Sequence, residues 1–424
     1  MIGNLIQHLY TVIDGIIVGN FVGEEALSAI GTSVPLVFLF LALAFGLSTG
    51  GGIIISQNFG AKRFDTMPVA ASTTMILITG VGLVISALAF FLSPMILRNI
   101  LGVPDYIFDL SLIYVRILSF GILFQFIYNG VAAILRSVGN AKVTLYFLLI
   151  SSVINVILTL IVVVVLNQGV AGAAVTTTVS QFVAAVISYI YMVKKYPYLK
   201  PRAIFDTALC KQALKLGLPV AMQHGVISIG AMAFGRLVNS FGVISIASFA
   251  VAMRIEGFAF MPILAFNASM TTFAGQNIGA NRFDRVKRGM FQAQLMAAAC
   301  CLVIVLCLMI FAIPISRLFG LEGETLLRSV EQIRFISPWL VVLSIALIII
   351  GTLKGAGDVM FPTLAQSLNF FLRVALAYFL VDIGVLGYNG AWVTVPIGWV
   401  LLLVLVLYRY YSGKWESKGV VKST

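Results

Sequence analysis

Asp14 is a carboxylate inside an apolar stretch, and it has polar company. Asn4, Gln7, Thr11 and Asp14 are separated by 3, 4 and 3 residues, a spacing that lines one face of a helix. Ser152, Asn155 and Thr159 repeat that kind of spacing farther along, as do Ala173, Thr177 and Gln181. Carboxylate, amide carbonyl and hydroxyl groups are oxygen donors, and gathered together they can hold a proton or a small alkali cation. Glu256 is the other acid well inside an apolar run, with Arg254 two residues before it. Residues two apart do not face each other on a helix, so the two are no closed pair. Glu256 either offers its charge to a cationic substrate or forms a structural ion pair with an arginine of another helix, such as Arg236 or Arg373.

The elements that position these groups follow from composition. The chain has 424 residues, 61% hydrophobic and 10% charged, with mean hydropathy +1.08. A soluble protein of this length needs far more charge to cover its surface, so lipid is the solvent. A helix needs about 20 mostly apolar residues to cross a bilayer. Twelve such spans are expected, at 2–21, 27–57, 69–93, 111–134, 143–166, 171–193, 212–240, 245–274, 290–315, 330–353, 361–383 and 388–411. Acidic groups within them are costly, about 2.5–3.5 kcal/mol on insertion scales, which makes Asp14 and Glu256 functional candidates. Loops rich in Lys and Arg stay in the cytoplasm. Lys62 and Arg63, Arg136 and Lys142, the cluster Lys194, Lys195, Lys200, Arg202, and Arg282 to Arg288 all fall on one side. Both termini are therefore expected in the cytoplasm, and the net charge of +12 reflects this asymmetry.

The sequence also repeats itself. "QNFGAKRFD" at 57–65 returns as "QNIGANRFD" at 276–284, identical at seven of nine positions and 219 residues later. At an offset of 218, Arg136 falls on Lys354, Gly139 on Gly357 and Gly172-Ala173 on Gly390-Ala391. Residues 1–195 and 212–411 read as two copies of a six-helix lobe, joined by a cytoplasmic linker at 196–211 and followed by a tail at 412–424. An even number of spans gives both copies one orientation, a parallel repeat about an axis along the membrane normal. The chain is thus an all-α polytopic membrane protein of two such repeats. Two lobes of this kind suit alternating access around a central cavity.

The repeat is an internal control on the polar stripe. Asp14 corresponds to Ala233, Asn155 to Arg373, Thr159 to Ala377 and Thr177 to Val395. The second copy builds the same spans without these groups. The bland alternative, polar glue between membrane helices, loses ground accordingly.

"GNLIQHLYTVIDGIIVGNFVGEEALSAIG" at 3–31, "SQNFGAKRFD" at 56–65, "RSVGNAK" at 136–142, "GVAGAAVTT" at 169–177, "GLPVAMQ" at 217–223 and "GQNIGANRFD" at 275–284 together resemble the multidrug and toxic compound extrusion (MATE) family along the whole chain. The resemblance implies a two-lobe exporter of organic cations, often aromatic, driven by proton or sodium influx, in the plasma membrane and with no further cofactor. It places Asp14, Asn155 and Thr177 on first-lobe cation-site positions, where sodium is a possible occupant. Thr159 falls where better-known members carry a second Asp, which weakens the case for sodium over proton. The family's acid in span 7 is absent, with Ile227 at the position and Gln223 and His224 nearby. The expected coupling set is Asp14, Asn155, Thr159 and Thr177. The expected substrate-binding set is Glu256, Gln7, Tyr10, Gln223, His224 and Met253. His8 is left without a role. Span 7 also begins well before the core of the repeat, so the chain is expected to lack about ten or more residues of a longer parent, including a Pro ahead of Met1.

Other classes find little support. There is no basic soluble face for nucleic acid, no G-x-x-x-x-G-K loop and no H-E-x-x-H pair, so no enzyme is expected. Cys210, Cys300, Cys301 and Cys307 lack ligand spacing and read as packing. Fourteen Met and 31 Phe give material for an adaptable wall around flat cations, though most must pack helices or face lipid. The partners expected are an organic small molecule and the bilayer, with no obligatory protein. The competing reading is a flippase for lipid-linked saccharide or lipid, which would use Arg236, Arg254 and Arg373 toward an anion.

Overall fold

The computed structural model describes residues 13–202, 204–383 and 387–421. Gln7 and Tyr10 of the expected substrate-binding set lie outside the described residues, as do Asn4, His8 and Thr11. Among the described residues the chain is helical without strands. Helix α1 is seen over 13–21. It is followed by α2 (Glu24–Gly60), α3 (Met67–Met95), α4 (Asp105–Ser137), α5 (Ala141–Thr159) and α6 (Gly169–Lys195). Then come α7 (Thr207–Asn239), α8 (Val243–Gly279), α9 (Phe283–Leu318), α10 (Gly323–Ile336), α11 (Leu340–Gly355), α12 (Met360–Asp382) and α13 (Asn389–Tyr411). Eleven helices among the described residues are long and apolar enough to cross a membrane. The span expected at 330–353 is α10 and α11 together, joined by a tight turn at Ser337–Trp339 where Pro338 removes a backbone donor.

Two compact units divide at Met222 and Gln223, within α7. In the first, α4 packs on α2, α3 and α6; in the second, α11 packs on α8, α9 and α13. The fourth span of each copy is thus its hub.

The repeated loop answers to backbone geometry. After α2, Lys62 takes φ 57°, and after α8, Asn281 takes φ 57°. Arg63 N–H donates to the Asn58 carbonyl at 3.0 Å, and Arg282 N–H donates to the Asn277 carbonyl at 2.8 Å. Both helices end in the same left-handed cap. Gly139 (φ 89°) and Gly357 (φ 92°) turn the chain identically after α4 and α11, a conformation that glycine adopts without Cβ strain.

The hub crossings differ in detail. In the first copy, the Ser137 hydroxyl of α4 donates to the Gly52 carbonyl of α2 at 2.8 Å. In the second, the matching residue is Gly355 of α11, where a Cβ would collide with the Thr271 carbonyl of α8. One copy bridges the helices with a hydroxyl; the other brings the backbones together on a small residue.

Helix α7 starts at Thr207, five residues before the expected edge at 212. Asp206 explains the early start: its carboxylate accepts from Ala208 N–H at 2.8 Å and Leu209 N–H at 3.0 Å, satisfying donors that a helix start leaves free.

Candidate functional site

Three helices of the first unit bring the expected coupling residues together. Asp14 comes from α1, Asn155 and Thr159 from successive turns of α5, and Thr177 from α6. The Thr159 hydroxyl donates to Asp14 Oδ1 at 3.0 Å. Thr159 and Thr176 hydroxyls lie 3.0 Å apart, and Thr176 donates to the Ala173 carbonyl at 2.9 Å. Alongside, Asn155 Nδ2 donates to Thr177 Oγ1 at 3.4 Å, and Thr177 donates to the Ala173 carbonyl at 3.0 Å. Thr159 is fully buried and Asn155 is 2% exposed, so these contacts sit away from solvent.

The donor set carries unspent acceptor capacity. Asn155 Oδ1 and Gln181 Oε1 are buried without a hydrogen-bond partner among the described residues. Both residues line a cavity of about 20 Å³ between α4, α5 and α6, with Tyr128, Ser151 and Ser180. That is room for about one water. A buried carbonyl oxygen left unpaired costs free energy, and a small cation or an ordered water would satisfy it. The carboxylate, two hydroxyls and an amide oxygen fit a proton or an alkali ion. They offer no imidazole or thiolate for a transition metal.

Thr176 is the member that sequence reasoning missed. Only the i, i+4 stripe through Ala173 and Thr177 was counted, and Thr176 lies one position off it. The signal available was the run Thr176, Thr177, Thr178 in an apolar helix, which supplies hydroxyls to adjacent faces.

The second unit arranges its polar groups differently. Glu256 of α8 is 4% exposed. Gln332 Nε2 of α10 donates to Glu256 Oε1 at 3.4 Å, and the Tyr388 hydroxyl donates to Gln332 Oε1 at 3.4 Å. Among the described residues no arginine lies within ion-pair distance of Glu256. Arg373 of α12 instead stands over the rings of Phe234 (4.9 Å) and Phe370 (5.2 Å). Gln223 is held elsewhere, accepting from Lys354 Nζ at 3.3 Å. His224 and Met253 are exposed. Glu256 and Gln223 therefore have separate partners and form no single cluster. Gln332 and Tyr388 were not foreseen, because each is an isolated polar residue near a span end with no helical stripe to mark it.

A chain of long apolar helices, built as two matching six-span halves with a buried oxygen-donor cluster in one of them, belongs to the class of polytopic membrane transporters. The MatE family model matches residues 1–161 and 219–379, and the chain belongs to that family, whose members are transporters, not enzymes. It is 27% identical over its full length to "Probable multidrug resistance protein YoeA" of Bacillus subtilis (strain 168), covering 93% of that protein. It is 28% identical over 98% of its length to "Probable multidrug resistance protein YpnP" of the same organism, covering 94% of it. The fold matches a crystal structure of MATE in the bent conformation with TM-score 0.92 at 25% identity, covering 99% of this chain and 94% of that one. An outward-facing multidrug resistance MATE family transporter matches with TM-score 0.91. The chain is a multi-pass multidrug-efflux transporter of this family.

Proposed function

We propose that the chain is a secondary active exporter. It couples inward movement of a proton or a sodium ion to outward movement of organic compounds, chiefly cationic and aromatic ones. It works in the plasma membrane with both termini in the cytoplasm, without a further cofactor and without an obligatory protein partner. The observation that carries the reading is the first-half cluster of Asp14, Thr159, Thr176, Asn155 and Thr177, for which the second half has no equivalent apart from Thr394.

The cluster supplies what coupling requires. A carboxylate that binds an ion in one state and releases it in another ties ion movement to the change of state, because only differential affinity shifts an equilibrium. Thr159 positions the Asp14 carboxylate, and the free Asn155 oxygen offers a second ligand. A membrane potential then supplies about 2.3 kcal/mol per charge per 100 mV. Glu256, whose hydrogen-bond partner is the neutral amide of Gln332, is the acid assigned to a cationic substrate.

One observation favours the competing flippase. Arg373 Nε is buried without a hydrogen-bond partner among the described residues, and a cation so placed suits an anionic lipid-linked saccharide. Purified protein in proteoliposomes separates the two. An exporter concentrates ethidium against its gradient when a proton or sodium gradient is imposed, and stops when that gradient is collapsed. A flippase leaves ethidium unmoved under every gradient, and that outcome would overturn the proposal.

A further inference from the structure

A large cavity of the first unit lies apart from the coupling cluster. It is a groove of about 830 Å³ between α3 and α6 with α4 at its back. Ile76 and Leu83 of α3 and Phe182, Val186 and Tyr189 of α6 form its walls, and all five are exposed. At one end stand Ser72, Pro201 and Arg202. From Ser72 to Leu83 the groove follows eleven residue steps of α3, about 16.5 Å at 1.5 Å per residue. The hydrocarbon core is about 30 Å thick, so this is the depth of one leaflet.

The polar end is basic and fixed in place. Arg202 N–H donates to Ser72 Oγ at 2.6 Å, and Asp206 N–H donates to Thr73 Oγ1 at 3.1 Å, which pins the connector to the start of α3. The Arg202 side chain is exposed and has no ion pair among the described residues. The acid in this connector, Asp206, is occupied in capping α7. An adjoining groove of about 410 Å³ shares Ile190 with the first and carries Lys194 and Lys195. A leaflet-deep apolar slot that ends in cations without an ion pair among the described residues matches a phosphate headgroup with acyl chains below it.

We propose that this groove binds one anionic phospholipid, its acyl chains along α3 and α6 and its phosphate at Arg202. Basic side chains near the membrane surface attract anionic lipid, so these three favour such a lipid over a zwitterionic one of the same chain length. The site is independent of the coupling cluster and of any transported compound.

Native mass spectrometry of the delipidated full-length protein tests this, with phosphatidylglycerol and phosphatidylcholine of identical chains as probes. Wild-type protein should bind the first phosphatidylglycerol about tenfold more tightly than phosphatidylcholine. The triple substitution Lys194→Gln, Lys195→Gln, Arg202→Gln should bring the preference below about twofold. Gly80→Phe should lower binding of both lipids, since a side chain there meets open space inside the groove; Leu83→Trp serves the same end should that variant misfold. Glycerol phosphate, which has the headgroup chemistry without chains, should not compete. Equal wild-type affinity for the two lipids would overturn the proposal. So would an unchanged preference in the triple variant, or displacement by glycerol phosphate or by ethidium.

Discussion

The two halves of this chain share a scaffold and differ in chemistry, and the difference separates fold from function. At Thr176 and Thr394 the repeat keeps the residue and the bond: each hydroxyl donates to the carbonyl three residues earlier at 2.9 Å. That threonine belongs to the fold. Around it the halves diverge. Where α1 carries Asp14, α7 carries Ala233, whose carbonyl accepts from the Tyr378 hydroxyl at 2.9 Å. Where α5 carries Asn155 with a free oxygen, α12 carries Arg373 packed on two rings. Where α5 carries Thr159, α12 carries Ala377. The first half gathers oxygen donors around a carboxylate; the second closes the same space with a cation, aromatic rings and methyl groups. Its own acid, Glu256, sits on a different helix with an amide partner.

The largest expected effect comes from moving the acid across the repeat. A chain with Asp14→Ala and Ala233→Asp should lose gradient-driven export by at least about 100-fold, because the second half lacks the hydroxyl and amide partners that would give the acid different ion affinities in two states. Recovery of coupled transport by that double variant would show that the acid alone matters. Glu256→Gln should lower export of cationic dyes about tenfold while neutral substrates change little, as expected for a charge facing a cation in a low-dielectric site. Equal losses for both substrate classes would make Glu256 a structural residue of the Gln332 and Tyr388 network. Thr159→Val removes the donor to Asp14 and should weaken coupling-ion affinity about fivefold, the worth of a hydrogen bond near 1 kcal/mol. Thr394→Val, in the half without the acid, should leave that affinity unchanged. Isothermal titration of the ion into purified protein reads both.

Much of this was legible in the sequence because its causes are local. Apolar length marks a membrane helix, and the repeat at offsets of 218 and 219 exposes Asp14 as a departure from the scaffold. The i, i+4 spacing of Asn155 and Thr159 and the matching stripe on α6 placed the donors on facing sides. Gln332 was not legible, because its role depends on which neighbouring helix it meets; the hydroxyl run at Thr176, Thr177 and Thr178 was visible, but not which of them meets Thr159. The surroundings of Glu256 likewise depend on tertiary packing: Gln332 supplies its hydrogen bond, while Arg373 stands over the Phe234 and Phe370 rings. The early start of α7 was available in principle, since Asp206 is a good cap, but the proline-bearing stretch before it reads as linker.

The account rests most heavily on Asp14, and Asp14→Asn tests it directly. Asn keeps nearly the same shape and hydrogen-bonding reach while removing the titratable charge. In proteoliposomes with an imposed inward proton or sodium gradient, uphill ethidium transport by Asp14→Asn should fall to the rate of protein-free vesicles. Ethidium exchange without a gradient should continue within about threefold of wild type, because binding and the change of state are kept while their tie to the ion is lost. Uphill transport by a folded Asp14→Asn protein at the wild-type rate would contradict the account.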